Sequence, residues 1–95
     1  MSLFGSFLGL VGEQFWPTYE RIRNYSVYDL EDDLNNTGNW TVKAVCLLAL
    51  SDHDICVAKQ IYWGDRDYFD NRFRALSNYS RFKKVVEEFY KKIRQ

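Results

Sequence analysis

Five residues in the middle of the chain have side chains that can bind a metal or act in catalysis: Cys46, Asp52, His53, Asp54 and Cys56. Thiolate, imidazole and carboxylate are ligands for Zn²⁺, but these residues lack the spacing of a known zinc site. A Cys-His dyad needs a third group that orients the histidine, and the sequence positions none. We therefore expect no catalytic residue, no metal site and no cofactor, and we expect His53 to be satisfied within a turn.

The sequence contains no phosphate-binding loop, nucleophile elbow or dinucleotide fingerprint. Four Asn-x-Ser/Thr triplets begin at Asn24, Asn35, Asn39 and Asn78. No secretory signal pattern accompanies them, because the first residues lack a basic region and a long apolar region. We interpret these asparagines as helix caps and turns rather than as glycosylation acceptors.

The element that positions the five reactive residues is an apolar run at 42–50, in which Lys43 is the single charge. A helix that is apolar on nearly all sides is a buried one. Ser51 follows the run and has Asp54 three residues later, which is the spacing of an N-cap with a carboxylate in the first turn. The pattern predicts a central buried helix that ends before Ser51 and a second helix that starts there.

The second helix carries apolar residues at helical spacing and ends at Gly64. A helical hairpin of this kind brings Cys46 and Cys56 to the same level. Packed helix axes lie about 8–10 Å apart, whereas a disulfide needs Cα atoms within about 7 Å, so we expect two reduced, buried thiols. The alternative is a β-hairpin at 41–63, but alanine, leucine, lysine and glutamine in this stretch favour helices.

Short amphipathic segments make up the rest of the chain. Ser26 is predicted to cap a helix, and a break is predicted at 77–80. The last segment, 81–95, has an apolar stripe formed by Phe82, Val85, Val86, Phe89 and Ile93. It also has two i,i+4 pairs in the favourable order, Glu87 with Lys91 and Glu88 with Lys92. We expect an all-α fold, a compact bundle of five or six short helices that forms a single domain over 1–95.

The first twelve residues are uncharged and alternate apolar side chains with glycine. About ten apolar residues are too few to span a bilayer, which takes about 20. We expect this segment to pack on the domain or to bind a partner through Leu3, Phe4, Phe7 and Leu8. Contact with a membrane surface is a less favoured interpretation of the same segment.

The net charge of the chain is zero, but the charges are divided along it. Residues 1–64 hold four Lys/Arg and eight Asp/Glu, and residues 65–95 hold nine Lys/Arg and five Asp/Glu. Glu31, Asp32 and Asp33 form an acidic cluster that we interpret as a solvated helix face. The basic C-terminal third makes nucleic acid an alternative partner.

The tract 57–80 resembles the second helix-turn-helix unit of AraC-type regulators. The positions that fall at the spacing of that family are Val57, Ala58, Ile61, Trp63, Asp65, Tyr68, Phe69, Phe73, Arg74 and Ser80. Tyr62, Asn71 and Arg81 stand where the family keeps glycine, arginine and usually proline. The resemblance implies a recognition helix over 65–75 that enters a major groove. The residues that would then contact nucleic acid are Arg66, Arg72, Arg74, Lys83 and Lys84.

Aromatic residues make up 18% of the sequence, more than a core of this size readily hides. This excess and the uncharged N-terminal segment are typical of a protein interface. The sequence therefore predicts a cytoplasmic, non-enzymatic helical protein that binds another protein or itself. An inhibitor, an immunity-type protein or an assembly factor fits that description, and a helix-turn-helix nucleic-acid-binding protein is the alternative.

Overall fold

The computed structural model describes residues 15–95, and within that range the chain forms six α-helices and no strand. These are α1 (15–22), α2 (Val27–Asn36), α3 (Trp40–His53), α4 (Ile55–Gly64), α5 (Arg66–Leu76) and α6 (Ser80–Ile93). The predicted all-α bundle is confirmed, and the alternative β-hairpin at 41–63 is wrong. Among residues 15–95, no helix has both the length and the hydropathy that a membrane span requires.

The central helix is α3, which packs against α2, α4, α5 and α6. All of its residues from 44 to 50 are buried. The prediction of a buried central helix is confirmed, because a helix whose side chains are apolar all round can be covered by neighbours on every side.

The junction between α3 and α4 lies three residues later than predicted. Ser51 belongs to α3, where its hydroxyl donates a hydrogen bond to the carbonyl of Leu48 (2.7 Å). The N-cap of α4 is Asp54, whose carboxylate accepts from the backbone N–H of Val57 (3.2 Å). The predicted cap at Ser51 is therefore wrong, because its hydroxyl is satisfied inside the preceding helix and leaves Asp54 to cap the next one.

Other helix ends follow the sequence closely. Ser26 caps α2 by accepting from the N–H of Asp29 (3.1 Å), as predicted. Asn39 caps α3 by accepting from the N–H groups of Thr41 (2.8 Å) and Val42 (3.1 Å), which confirms its interpretation as a capping asparagine. The break predicted at 77–80 separates α5 from α6, and α4 ends at Gly64.

Phenylalanines from α5 and α6 fill the space between these helices and α3. Phe69, Phe73, Phe82 and Phe89 are each at most 1% exposed, and full burial of such a side chain stabilises the fold by about 1.5–3 kcal/mol. The predicted stripe on α6 is confirmed, with Val85 partly buried at its edge.

The predicted charge pairs along α6 are replaced by others. Lys91 pairs with Glu88 (3.5 Å), and Lys92 reaches across to Asp52 on α3 (2.6 Å). Asp52 also accepts from the hydroxyl of Tyr19 on α1 (3.3 Å). The predicted i,i+4 pairs are wrong, because a carboxylate on a neighbouring helix lies closer to Lys92 than Glu88 does.

Candidate interaction surface

Two aromatic side chains stack on the outside of the bundle where α3 and α5 begin. The rings of Trp40 and Tyr68 are nearly parallel, with centroids 4.5 Å apart and an interplanar angle of 11°. The cap at Asn39 fixes Trp40 as the first residue of α3, and Tyr68 lies in the first turn of α5. Trp40 also meets Phe69 edge-on at 5.5 Å, which anchors the stack to the core.

A third aromatic side chain lines a cavity next to this stack, at the end of α4. Trp63 lies in the last turn of α4, and the single residue Asp65 connects α4 to α5. Trp63 and Tyr68 line the same open cavity of about 270 Å³. Their exposures are 56% and 58%, respectively. We call Trp40, Trp63 and Tyr68 the aromatic surface.

Exposure of large aromatic rings to water is unfavourable in free energy, and burial of the rings against a partner removes this penalty. Tryptophan and tyrosine are the residue types that most often dominate the energetics of protein interfaces. A third strongly exposed ring in the described part of the chain, Tyr28 on α2 (76% exposed), makes no ring contact there. The aromatic surface therefore differs from an isolated exposed tyrosine, because two exposed rings line one cavity and Tyr68 is held by the stack with Trp40.

A partly buried hydrogen-bond network at the edge of the core holds α4, α5 and α6 together beneath this surface. One carboxylate oxygen of Asp70 accepts from the hydroxyls of both Tyr62 (2.7 Å) and Tyr90. Its other oxygen lies 4.0 Å from Nε of Arg66. Burial, followed by the hydrogen bond to Asp70, raises the pKa of Tyr62 to about 12, and the same causes raise the pKa of Tyr90 further. The network ties α5 to α4 and α6.

The reactive residues singled out in the sequence have different surroundings in the structure. Nε2 of His53 donates to the carbonyl of Arg23 (2.6 Å), so the histidine joins the end of α1 to the end of α3. Cys46 is buried, and burial together with nearby Asp33 raises the pKa of its thiol to about 11, away from the reactive thiolate form. Cys56 is a free thiol exposed on α4, so the expectation that both thiols are buried is wrong for this residue. The apolar stripe of α4 points Ala58 and Tyr62 inward and turns Cys56 outward.

No group of three or more metal-ligating side chains occurs within residues 15–95. The acidic cluster on α2 is largely exposed, and Asp32 accepts a hydrogen bond from the side chain of Asn36 (3.0 Å). None of its carboxylates forms an ion pair within the described range. The arrangement matches the solvated face expected from the sequence.

The five basic residues predicted to contact nucleic acid are all exposed but do not share one face. Arg66 pairs with Asp67 (3.5 Å) and approaches Asp70. Arg74 lines a groove with Val86 and Tyr90 of α6. Residues two apart on a helix point in different directions, so Arg72 lies on another side of α5, one turn after Tyr68. Lys83 and Lys84 belong to α6 and form no ion pair within residues 15–95.

The predicted partner-binding residues Leu3, Phe4, Phe7 and Leu8 lie outside the described residues. The sequence offered little sign of the surface found instead, because Trp40, Trp63 and Tyr68 come from three helices. Their residue types and the aromatic excess were the available signal. No protein-family model, curated protein or solved structure matches this chain.

Proposed function

We propose that this protein acts without catalysis, by binding another protein through the aromatic surface. The observation that carries the proposal is the exposure of Trp63 and Tyr68 around one cavity, with Tyr68 stacked on Trp40. A partner that covers these rings removes apolar area from water at little cost in side-chain entropy, because Trp40 and Tyr68 already hold each other in place.

Two features favour a protein over nucleic acid as the partner. Asp65 lies beside Trp63 and Tyr68 around the same cavity without an ion pair within residues 15–95, and its carboxylate repels phosphate at this end of the aromatic surface. The basic residues of α5 are divided between two sides of the helix, whereas a recognition helix needs its base-contacting and phosphate-contacting residues on a common face. A DNA-binding helix-turn-helix is therefore the less favoured function.

The N-terminal residues Leu3, Phe4, Phe7 and Leu8 are proposed as a second contact for the same partner. Uncharged apolar side chains at helical spacing suit an interface in the same way as the aromatic surface. An inhibitor, an immunity-type protein or an assembly factor, working in the cytoplasm, is the class of protein that this combination suits.

The test is affinity capture from an extract of the source cells with four forms of the tagged protein. They are the wild type, the double variant Trp63→Ala/Tyr68→Ala, the single variant Tyr28→Ala and a form lacking residues 1–12. Each capture is divided into a nuclease-treated and an untreated half and is quantified by mass spectrometry. Tyr28→Ala is the control, because it removes a tyrosine from another helix that is even more exposed than Tyr68 (76% against 58%).

We expect the wild type to capture one protein in stoichiometric amount. Nuclease treatment should not reduce its capture, and the Tyr28→Ala variant should capture it equally well. Truncation of interface hot spots costs about 2 kcal/mol or more, so the double variant should bind this protein roughly thirtyfold more weakly. Loss of binding on deletion of 1–12 would support the second contact. Captured molecules that disappear with nuclease, or that bind the double variant as well as the wild type, contradict the proposal.

A further inference from the structure

The aromatic surface is flanked by two cations that have no carboxylate partner within residues 15–95. Nζ of Lys43 lies 4.7 Å from the ring centroid of Trp40, and it makes no ion pair or hydrogen bond in the described range. Arg72 is exposed and stands one helical turn after Tyr68, on the same side of α5. The two cations therefore lie on α3 and α5, the two helices that form the stack.

The backbone adds to the positive potential at Lys43. This lysine stands in the first turn of α3, where the helix dipole is positive and disfavours a cation. The first turn of α3 contains no acidic residue that offsets the lysine charge. The Trp40 ring faces this cation, and no carboxylate pairs with it within residues 15–95.

Most of the other charges near the aromatic surface are already neutralised. Arg66 and Asp67 pair with each other at 3.5 Å beside Trp63. Asp70 is held by two tyrosine hydroxyls. Asp65 at the N-cap of α5 has no ion pair or side-chain hydrogen bond within residues 15–95, and it lies at the Trp63 end, about two helical turns before Arg72. The uncompensated charges of the aromatic surface are thus the cations Lys43 and Arg72 and, at the Trp63 end, the carboxylate of Asp65.

We propose that the segment bound by the aromatic surface is an acidic stretch of protein. It places apolar or aromatic side chains on Tyr68 and Trp63 and carboxylates against Lys43 and Arg72. This inference rests on the proposed function and adds to it the chemistry of the partner. Complementary charge at the rim of an interface sets the orientation of the partner and excludes segments of the wrong sign.

The experiment is selection from a phage-displayed library of random twelve-residue peptides, panned on three immobilised proteins. These are the wild type, the charge reversal Lys43→Glu/Arg72→Glu and the matched reversal Lys83→Glu/Lys84→Glu on the outer side of α6. Affinities of the synthesised winning peptides are then measured on each protein and on Trp63→Ala/Tyr68→Ala. A twenty-residue oligothymidylate is added as a competitor.

The proposal expects the wild type and the α6 reversal to select peptides rich in Asp and Glu around an apolar or aromatic residue. The reversal at Lys43 and Arg72 should instead select Lys and Arg. Exposed ion pairs contribute about 0.2–1 kcal/mol each, so it should bind the wild-type peptides roughly two- to thirtyfold more weakly. The α6 reversal should bind them unchanged.

Peptides that bind through Trp63 and Tyr68 without a charge preference would overturn this inference and leave the proposed function intact. Winning peptides that bind the Trp63→Ala/Tyr68→Ala variant as well as the wild type, or no winning peptides at all, would overturn both. Displacement of the peptides by the oligothymidylate would assign the surface to nucleic acid. Sedimentation equilibrium of the free protein tests for self-association. A dimer that the Tyr68→Ala substitution dissociates would assign the aromatic surface to a second copy of the chain.

Discussion

The ring of Tyr68 on α5 lies parallel to that of Trp40 on α3, with centroids 4.5 Å apart. An aromatic pair of this kind stabilises a fold by about 0.5–1.5 kcal/mol beyond the area that it buries. We expect Tyr68→Ala to lower the free energy of unfolding by about 1 kcal/mol, measured by urea denaturation. The protein should remain folded, so its loss of binding is interpretable. Tyr28→Ala, which removes no ring contact, should change stability by less than about 0.5 kcal/mol.

Asp70 is the hydrogen-bond acceptor shared by the hydroxyls of Tyr62 and Tyr90. Removal of its carboxylate leaves these two partly buried hydroxyls without their partner. We expect Asp70→Ala to destabilise the protein by about 2–4 kcal/mol, because each unsatisfied group keeps its desolvation cost. Asp70→Asn should cost less, since the amide oxygen still accepts. Asp67→Ala is the control, because the side chain of Asp67 is 92% exposed. Equal effects of Asp70→Ala and Asp67→Ala would show that the network does not hold the three helices.

Stability should fall at alkaline pH through the buried tyrosines. The pKa values of Tyr19 and Tyr62 are raised to about 12 by burial first and by hydrogen bonds to Asp52 and Asp70 as well. An unfolded tyrosine loses its proton near pH 10, so between about pH 10 and 12 the unfolded chain binds fewer protons than the folded one. The stabilisation is complete below pH 10 and is lost as pH rises toward 12.

The free energy of unfolding should fall with pH by up to about 1.4 kcal/mol per pH unit for each such tyrosine. Urea titrations between pH 8 and 11.5 measure it, and Tyr62→Phe should make the slope shallower. Tyr28→Phe removes an exposed tyrosine and should leave the profile unchanged. A free energy of unfolding that stays constant above pH 10 would contradict the assignment.

The position of the α3–α4 junction can be checked with a pair of alanine variants. Asp54→Ala removes the side chain that caps α4 and should cost about 1 kcal/mol. Ser51→Ala removes only a hydroxyl that bonds back within α3, so we expect a change of less than about 0.5 kcal/mol. Thermal unfolding followed by circular dichroism ranks the two. A larger loss of stability for Ser51→Ala than for Asp54→Ala would show that Ser51 is the N-cap of α4.

This junction shows what the sequence was able to predict and what it was not. The apolar run at 44–50 and the break after it predicted two helices, because burial depends on the periodicity of side chains. Ser51 and Asp54 are both good capping residues, so the choice between them depended on whether the serine hydroxyl already had a partner inside α3. A one-dimensional pattern contains no information about that competition.

Contacts between distant residues account for the remaining differences. Lys92 pairs with Asp52 rather than with Glu88 because α3 and α6 pack together, which the spacing along α6 does not reveal. The Trp40–Tyr68 stack is of the same kind, since its partners belong to different helices. Residue types predicted an interface, whereas the position that we propose for it depends on the packing of α3 against α5.

Photo-cross-linking can show whether another protein contacts the aromatic surface. Benzoylphenylalanine is incorporated in place of Tyr68 or, as the control, in place of Tyr28, and the tagged proteins are irradiated in an extract of the source cells. We expect one protein to be cross-linked from position 68. The same protein should not be cross-linked from position 28, and nuclease should not change the result. Cross-links of equal yield from both positions, or cross-links to nucleic acid from position 68, would contradict it.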